Sequence, residues 1–293
     1  MATPSASSPT FAVIADLHGN LAALNAVLAD LERVRPDRVV VAGDFVNRGP
    51  QSRAVLERIA PLGFPAISGN HDTWLVALAA GLGLPEGWET PWWTPVRRAV
   101  NELTPEWVEW LDALPSTLSL ELPGAGPVRI VHGSPRHSRE GMGRLRADAE
   151  VAESLAGVSE PTVIGAHIHY PFERVVGGTH VVVVGAVGVP FNGDVNAQYG
   201  LFHWQADAGA WRFEHRSVPY DHDLVYAAWG EGGYLEDGSL SAELMMREHR
   251  EARTWYVPFW EWAMAHGRPL TRGTFEEFEA ERPPFVPPPM RAA

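Results

Sequence analysis

The chain reads as an α/β protein in which two mixed β-sheets pack face to face with helices outside. Three observations predict this. The first half alternates short apolar runs with helical stretches. From Val128 onward strands dominate and end in a meander. Five polar islands sit where apolar runs stop, as side chains do along the carboxyl edge of an open sheet.

The first apolar run is Phe11 to Ala15. After it, Asn20 suits a helix N-cap, and Leu21, Leu24, Leu28 and Leu31 recur at helical spacing. Pro36-Asp37 then turns the chain into the run Arg38 to Ala42, which closes a βαβ unit. Ser52 to Ile59 repeats the helical pattern, and Gly63-Phe64-Pro65 leads into Ala66-Ile67. Asp44 follows His18 by 26 positions and Asn70 follows Asp44 by 26. A strand, a helix and a return strand take about that length, so consecutive islands are predicted on parallel strands.

Residues 74–114 carry Trp74, Trp88, Trp92, Trp93, Trp107 and Trp110 among Gly and Pro, which predicts a helical cap over the crevice. Further strands are predicted at Val128 to Val131, Thr162 to Ile164 and Thr179 to Ala186, with a hairpin from Gly200 to Gln205 and Trp211 to Val218. Helices follow near Ser241 to Tyr256 and Phe259 to His266, and Glu281 to Ala293 is Pro-rich and extended. The domain reading is a disordered tail over 1–10, a main domain over 11–218 with 74–114 inserted as the cap, and a helical extension over 219–293.

At 293 residues and 45% hydrophobic composition, the chain can bury a full core. It has no cysteine, which excludes thiolate metal sites, disulfides and cysteine nucleophiles. The N-terminus lacks the basic start and apolar stretch of a signal peptide, and no apolar run approaches the roughly 18 residues of a membrane span. A cytoplasmic protein without a membrane partner is expected. A net charge of −13 opposes an extended nucleic-acid surface, because such surfaces rest on many Lys and Arg contacts with phosphates. A small phosphorylated substrate is compatible with it.

The islands read Asp16-Leu17-His18-Gly19-Asn20, Gly43-Asp44, Gly69-Asn70-His71-Asp72, Val131-His132-Gly133 and Ala166-His167-Ile168-His169. In an Asp-x-His pair on a strand both side chains share a face, and His167 and His169 repeat that geometry. If Asp44 bridges the two pairs, and Asn70 and His132 complete the shell, the set describes two cations roughly 3.5 to 4 Å apart. Oxygen and nitrogen donors without sulfur suit divalent Mn, Fe, Co, Ni or Zn, with Mn the leading choice.

These five islands, in this order, resemble the calcineurin-like metallophosphoesterase superfamily, and its branch of small bacterial phosphodiesterases and phosphatases above all. His132-Gly-Ser-Pro135 and Val184-Gly-Ala-Val-Gly188 add to the resemblance. It implies a four-layer α/β/β/α sandwich. It also implies that Asp16, His18, Asp44 and His169 hold one metal while Asp44, Asn70, His132 and His167 hold the other. A metal-bridging hydroxide would then attack phosphorus in a small phosphodiester or nucleotide. His71 would face the leaving group as proton donor or positive charge, with Asp72 orienting it.

Gly43-Asp-Phe-Val-Asn-Arg-Gly49 is also similar to the Gly-Asp-x-Val-Asp-Arg-Gly of protein phosphatases and symmetrical dinucleoside tetraphosphate hydrolases, but carries Asn47 where those have Asp. That makes such a hydrolase the second reading. Ala166 replaces the usual Gly before the last histidine pair. A non-catalytic interaction module, as in the retromer subunit that resembles this fold, is a third reading, and the presence of His71 separates the chain from it.

Each island alone is more often a turn or a helix cap. Arg48 divides between substrate phosphate and a helix start, and Asn20 between substrate and helix capping. His137, His180, His203, His215, His222, His249 and His266 are read as surface or core residues. The tryptophans are read as packing or subunit contacts, which leaves stacking on a nucleobase and a homo-oligomer open.

Overall fold

The first strand is buried on both faces, and that decides the layering. In the computed structural model, which describes residues 8–235, 239–282 and 285–290, β1 (Thr10–Ile14) points Phe11 and Val13 to one side and Ala12 and Ile14 to the other. Ala12 and Ile14 meet α1 (Leu21–Val34) through Leu24, Val27, Leu28 and Leu31. Phe11 and Val13 face a second sheet and share a core with Val128, Ile130, Ile164, Val182 and Val184. A strand sealed on both faces reads as a continuous apolar run, which is why Phe11 to Ala15 shows no alternation.

The first sheet has the order β2-β1-β8-β9, where β2 spans Arg38–Val41, β8 Ala197–Gln205 and β9 Ala210–Val218. β1 runs parallel to β2 and antiparallel to β8. The second sheet has the order β3-β4-β5-β7-β6, with β3 at Thr117–Leu120, β4 at Val128–Val131, β5 at Thr162–Gly165, β6 at Pro171–Val176 and β7 at Thr179–Val184. It too is mixed, because β4, β5 and β7 run parallel while β3 and β6 pair antiparallel at its edges. Its outer face packs Val131, Val163 and Val181 against Val151 of α6 (Asp148–Ser154). Helix, sheet, sheet and helix make the four layers expected.

On the first sheet's outer side lie also α2 (Ser52–Ile59), α3 (Asn70–Ala79), α4 (Thr94–Glu102) and α5 (Pro105–Asp112). The C-terminal stretch forms α7 (His222–Glu231), α8 (Leu240–Glu251), α9 (Tyr256–Ala265) and α10 (Arg272–Glu281). These build their own core around Trp229, Tyr234, Met245, Trp255 and Phe259, and Trp92 of the 74–114 stretch enters it.

Several elements differ from the sequence reading. The run Ala66-Ile67 contributes one parallel bridge, Val41 to Ala66, because Gly69 and Asn70 start α3 at once. β3, β6, α6, α7 and α10 carry weak or broken periodicity and were not foreseen. Thr10 already belongs to β1, and residues 1–7 of the expected tail lie outside the described residues.

Asp30 of α1, 4% exposed, ties the helix layer to the sheet. Its carboxylate accepts from the Tyr199 hydroxyl at 2.7 Å, from Arg33 Nη2 at 2.9 Å and from Arg216 Nη2 at 2.9 Å. Burial acts to raise this carboxyl, but the donors on Tyr199, Arg33 and Arg216 outweigh it and hold it below the ordinary 3.8. A depressed carboxyl stabilises the fold fully above its unfolded value, and that contribution is lost as pH falls through the lower folded value. Asp30→Asn is therefore expected to cost about 1–3 kcal/mol at neutral pH in urea titrations. It should also flatten the loss of stability below about pH 4. An unchanged midpoint at neutral pH would overturn the assignment.

Candidate metal centre

The polar islands occupy loops that the backbone adopts only under strain. Asp16, His18, Asp44, His167 and His169 all have positive φ, between 45° and 69°, and Asn47 and Arg48 follow at 68° and 62°. Only two other non-glycine residues among those described, Arg35 and Ala252, share that region. Each such residue costs about 1–3 kcal/mol and persists only where its surroundings fix it, so their concentration in one place marks a functional site.

Cross-links between loops do the fixing. Asp16 N donates to Gly43 O at 3.0 Å, His18 N to Asp44 O at 2.9 Å, and Ala166 N to His132 O at 2.7 Å. Asp72 accepts from Asp44 N at 2.8 Å, Phe45 N at 2.9 Å and Gly69 N at 2.8 Å. Glycine is required where these loops touch. A Cβ on Gly43 would come within 2.5 Å of Gly69 N, and one on Gly69 within 2.1 Å of Asp44 Oδ1.

All seven expected donors converge. Asp16, His18, Asp44 and His169 bring one ligand atom each within 4.8 Å of one another, and so do Asp44, His132 and His167. Asn70 Oδ1 lies 3.1 Å from His132 Nε2. Each carboxylate spends one oxygen on a neighbouring amide. Asp44 Oδ1 accepts from His71 N at 2.8 Å and Asp16 Oδ2 from His167 N at 3.2 Å. The other two, Asp16 Oδ1 and Asp44 Oδ2, are buried with no amide or hydroxyl donor and meet only imidazoles, His169 Nε2 at 3.6 Å and His132 Nε2 at 3.2 Å.

The imidazoles are set to match. His18, His132 and His169 each place Nδ1 against a backbone carbonyl, Val46 O at 3.2 Å, Ala42 O at 2.8 Å and Val189 O at 2.7 Å. A carbonyl only accepts, so Nδ1 carries the proton and Nε2 is the nitrogen aimed inward, the usual arrangement of a metal-ligating histidine. Burial pushes His18 and His169 well below their ordinary values and His167 to about 3, so these three rings are neutral. Burial also opposes charge on His132, but Asp44 and Asp16 outweigh it and raise that ring to about 10. His18 Nε2 and His169 Nε2 then face each other at 3.1 Å as two lone pairs with no proton to share. Bare carboxylate oxygens beside facing lone pairs fit cations and little else.

His71 and its neighbours are arranged differently from the expectation. The Asp72 carboxylate is fully taken up by backbone amides and anchors the Asp44 loop, so it does not orient His71. Asn47 does. Its Oδ1 accepts from Arg48 N at 2.8 Å, which turns Nδ2 toward His71 Nδ1, also at 2.8 Å. The amide donates there, so Nε2 of the neutral ring bears the proton. Burial lowers His71 to about 4, against the pull of Asp44, so of the two expected roles, proton donor or positive charge, the neutral ring keeps the first. Sequence comparison marked Asn47 only as a departure from a pattern. The contact that explains it spans 24 positions.

Asn20 acts as a cap and tie. Its Oδ1 accepts from Ala23 N at 3.0 Å, and Nδ2 donates to Gly188 O at 2.8 Å and to the Tyr220 hydroxyl at 3.1 Å. It is fully buried, with no donor left for a substrate. Arg48, in contrast, lines the cleft above the donors. That cleft has a volume of about 770 Å³ and is walled by Trp74, Trp93, Tyr170, Tyr256 and Trp260, with Arg139 at its edge.

Known proteins carry the same domain. The profile of the calcineurin-like phosphoesterase superfamily domain matches residues 10–207. A metallophosphoesterase from Sphaerobacter thermophilus superposes with a TM-score of 0.64 at 26% identity, over 84% of this chain and all of that one. An uncharacterized protein of Methanocaldococcus jannaschii is 26% identical over 73% of this chain and 89% of its own length. A symmetrical bis(5'-nucleosyl)-tetraphosphatase of Janthinobacterium is 42% identical over 80 residues, 26% of this chain and 29% of that protein. The match thus spans less than a third of the tetraphosphatase. With the family profile covering eight of the nine strands and all five islands, the chain belongs to the calcineurin-like phosphoesterase superfamily.

Proposed function

We propose that this chain is a metal-dependent phosphoesterase that hydrolyses small phosphodiesters or nucleotides with two divalent transition-metal ions. One observation carries the reading: two buried carboxylate oxygens that no amide or hydroxyl reaches face Nε2 atoms whose opposite nitrogens are locked on carbonyls. Asp16, His18, Asp44 and His169 would hold one ion, and Asp44, Asn70, His132 and His167 the other. When bound, such a pair of ions polarises phosphoryl oxygens and acidifies a water.

The chain's own residues supply the rest. Asp44 keeps Oδ2 bare because its Oδ1 is held by His71 N. His71 offers its Nε2 proton to the leaving-group oxygen as a hydrogen bond, with the tautomer set by Asn47. Arg48 meets a phosphoryl oxygen from the cleft wall. A cleft of about 770 Å³ matches a nucleotide-sized ligand, and its aromatic walls suit a base or aryl group. The likeness to a tetraphosphatase over 80 residues favours a dinucleoside tetraphosphate as the second reading.

Elemental analysis after saturation with Mn or Zn is expected to give about two ions per chain. A value that stays at one or below refutes the paired site. A panel of p-nitrophenyl diesters, nucleotides, cyclic nucleotides and dinucleoside tetraphosphates then ranks the substrates, and no turnover on any of them with any metal refutes the esterase reading.

His71→Ala is expected to keep the metals and lower kcat by about 10²- to 10³-fold on esters with poor leaving groups. A p-nitrophenyl ester, whose leaving group departs unaided, should lose less. His71→Gln, which restores an N–H, should recover part of the rate. Equal losses on both substrate types would remove His71 from the leaving group.

A further inference from the structure

Arg48 is held by a residue outside the family domain. Its guanidinium, 6% exposed, places Nη2 2.6 Å from Oε2 of Glu248 on α8, which is fully buried. The other Glu248 oxygen accepts from Trp255 N at 2.6 Å and Tyr256 N at 2.9 Å, the first amides of α9. The positive end of that helix and two amides thus fix the carboxylate in place. His249, next on α8, sets Nε2 3.3 Å from Arg48 O. The Phe191 ring lies 5.3 Å from the guanidinium carbon. Arg48 Nε is nevertheless buried without a partner, and the side chain lines the cleft beside Asp44, His71 and His169.

A fork of five N–H groups recognises a phosphate by geometry, and the geometry is lost if the fork can swing. Here Glu248 cancels the charge of Arg48, so the arginine contributes directed donors in place of net attraction.

We propose that Glu248 is a positioning residue that aims Arg48 at the phosphoryl oxygens of the substrate, so that the C-terminal helices complete the site of the phosphoesterase domain. This rests on the phosphoesterase reading above. The buried ion pair alone would serve only to tie α8 to the domain. The place of Arg48 in the cleft wall, beside Asp44 and His71, points to a ligand as well.

The full-length, metal-loaded protein tests it, with inorganic phosphate as probe. Glu248→Gln keeps an oxygen for Trp255 N and Tyr256 N but removes the charge that holds the guanidinium. The double variant Arg48→Met/Glu248→Gln replaces the pair with neutral side chains of similar volume, a change that buried ion pairs tolerate, so it tests the idea even if the single variant does not fold. Glu248→Gln is expected to raise the inhibition constant of phosphate and the substrate KM by about 10-fold, with kcat and metal content near native. The double variant should raise both by about 10- to 100-fold. Unchanged phosphate inhibition in either folded variant, whatever happens to the melting temperature, makes Glu248 a structural tie and overturns the proposal. Native protein that hydrolyses no ester and ignores phosphate overturns the phosphoesterase reading itself.

Discussion

Everything in the centre depends on burying Asp16 and Asp44 close together at 0% exposure with only imidazoles, and no Lys or Arg, against their carboxylates. No Lys or Arg contacts their carboxylates among the described residues. The protein instead gives each one backbone amide on one oxygen and turns the second oxygen toward imidazole nitrogens, His132 Nε2 at 3.2 Å from Asp44 and His169 Nε2 at 3.6 Å from Asp16. Only a scaffold that cannot relax sustains that. The left-handed loops, the close contact of Gly43 with Gly69 and the triple acceptance by Asp72 provide the rigidity. The strands behind them, sealed on both faces, give the loops nothing soft to lean on.

The same constraint explains which parts of the fold were legible. A strand buried on both sides writes itself as an unbroken apolar run, and the polar island follows where the run stops, so Phe11 to Ala15 and Val39 to Ala42 could be read directly. β3 and β6 lie at the edges of their sheet, with one face half-wet and mixed residues, and carry no such signature. The metal-type donors were legible because strand ends converge in any sheet of this kind, so position in sequence already implied position in space.

The roles of Asp72, Asn47 and Asn20 were not legible, for a different reason. Each is decided by which group happens to stand opposite, the Asp44 amide, the His71 ring and the Gly188 carbonyl, 28, 24 and 168 positions away respectively. Residue type gives the capacity to bond but not the partner. Asp72 looked like a partner for the adjacent His71, yet an α-helical start turns consecutive side chains about 100° apart, and Asp72 faces back into the Asp44 loop. Asn47 stood out only as the wrong residue in a familiar motif. In place it fixes a tautomer that an aspartate would reverse, since a carboxylate accepts where the amide donates.

The C-terminal helices extend this logic. Ser239 and Ser241 donate to Pro91 O at 2.7 Å and Trp92 O at 2.5 Å, and Tyr234 donates to Glu102 at 2.6 Å. These bonds join the extension to the 74–114 stretch by polar contacts inside an aromatic core, where both direction and partner are constrained. The cleft walls therefore come from three sources: strand-end loops bearing the donors, the tryptophan-rich stretch, and the extension with Tyr256 and Trp260. The donors follow the family pattern, whereas the other two walls stand beside them in the cleft, and α8 to α10 lie beyond the matched span of 10–207. In the proposed enzyme, chemistry and selectivity are carried by different parts of the chain, and Arg48 is where the two meet, because its backbone belongs to the strand-end loop and its guanidinium pairs with Glu248 of the extension.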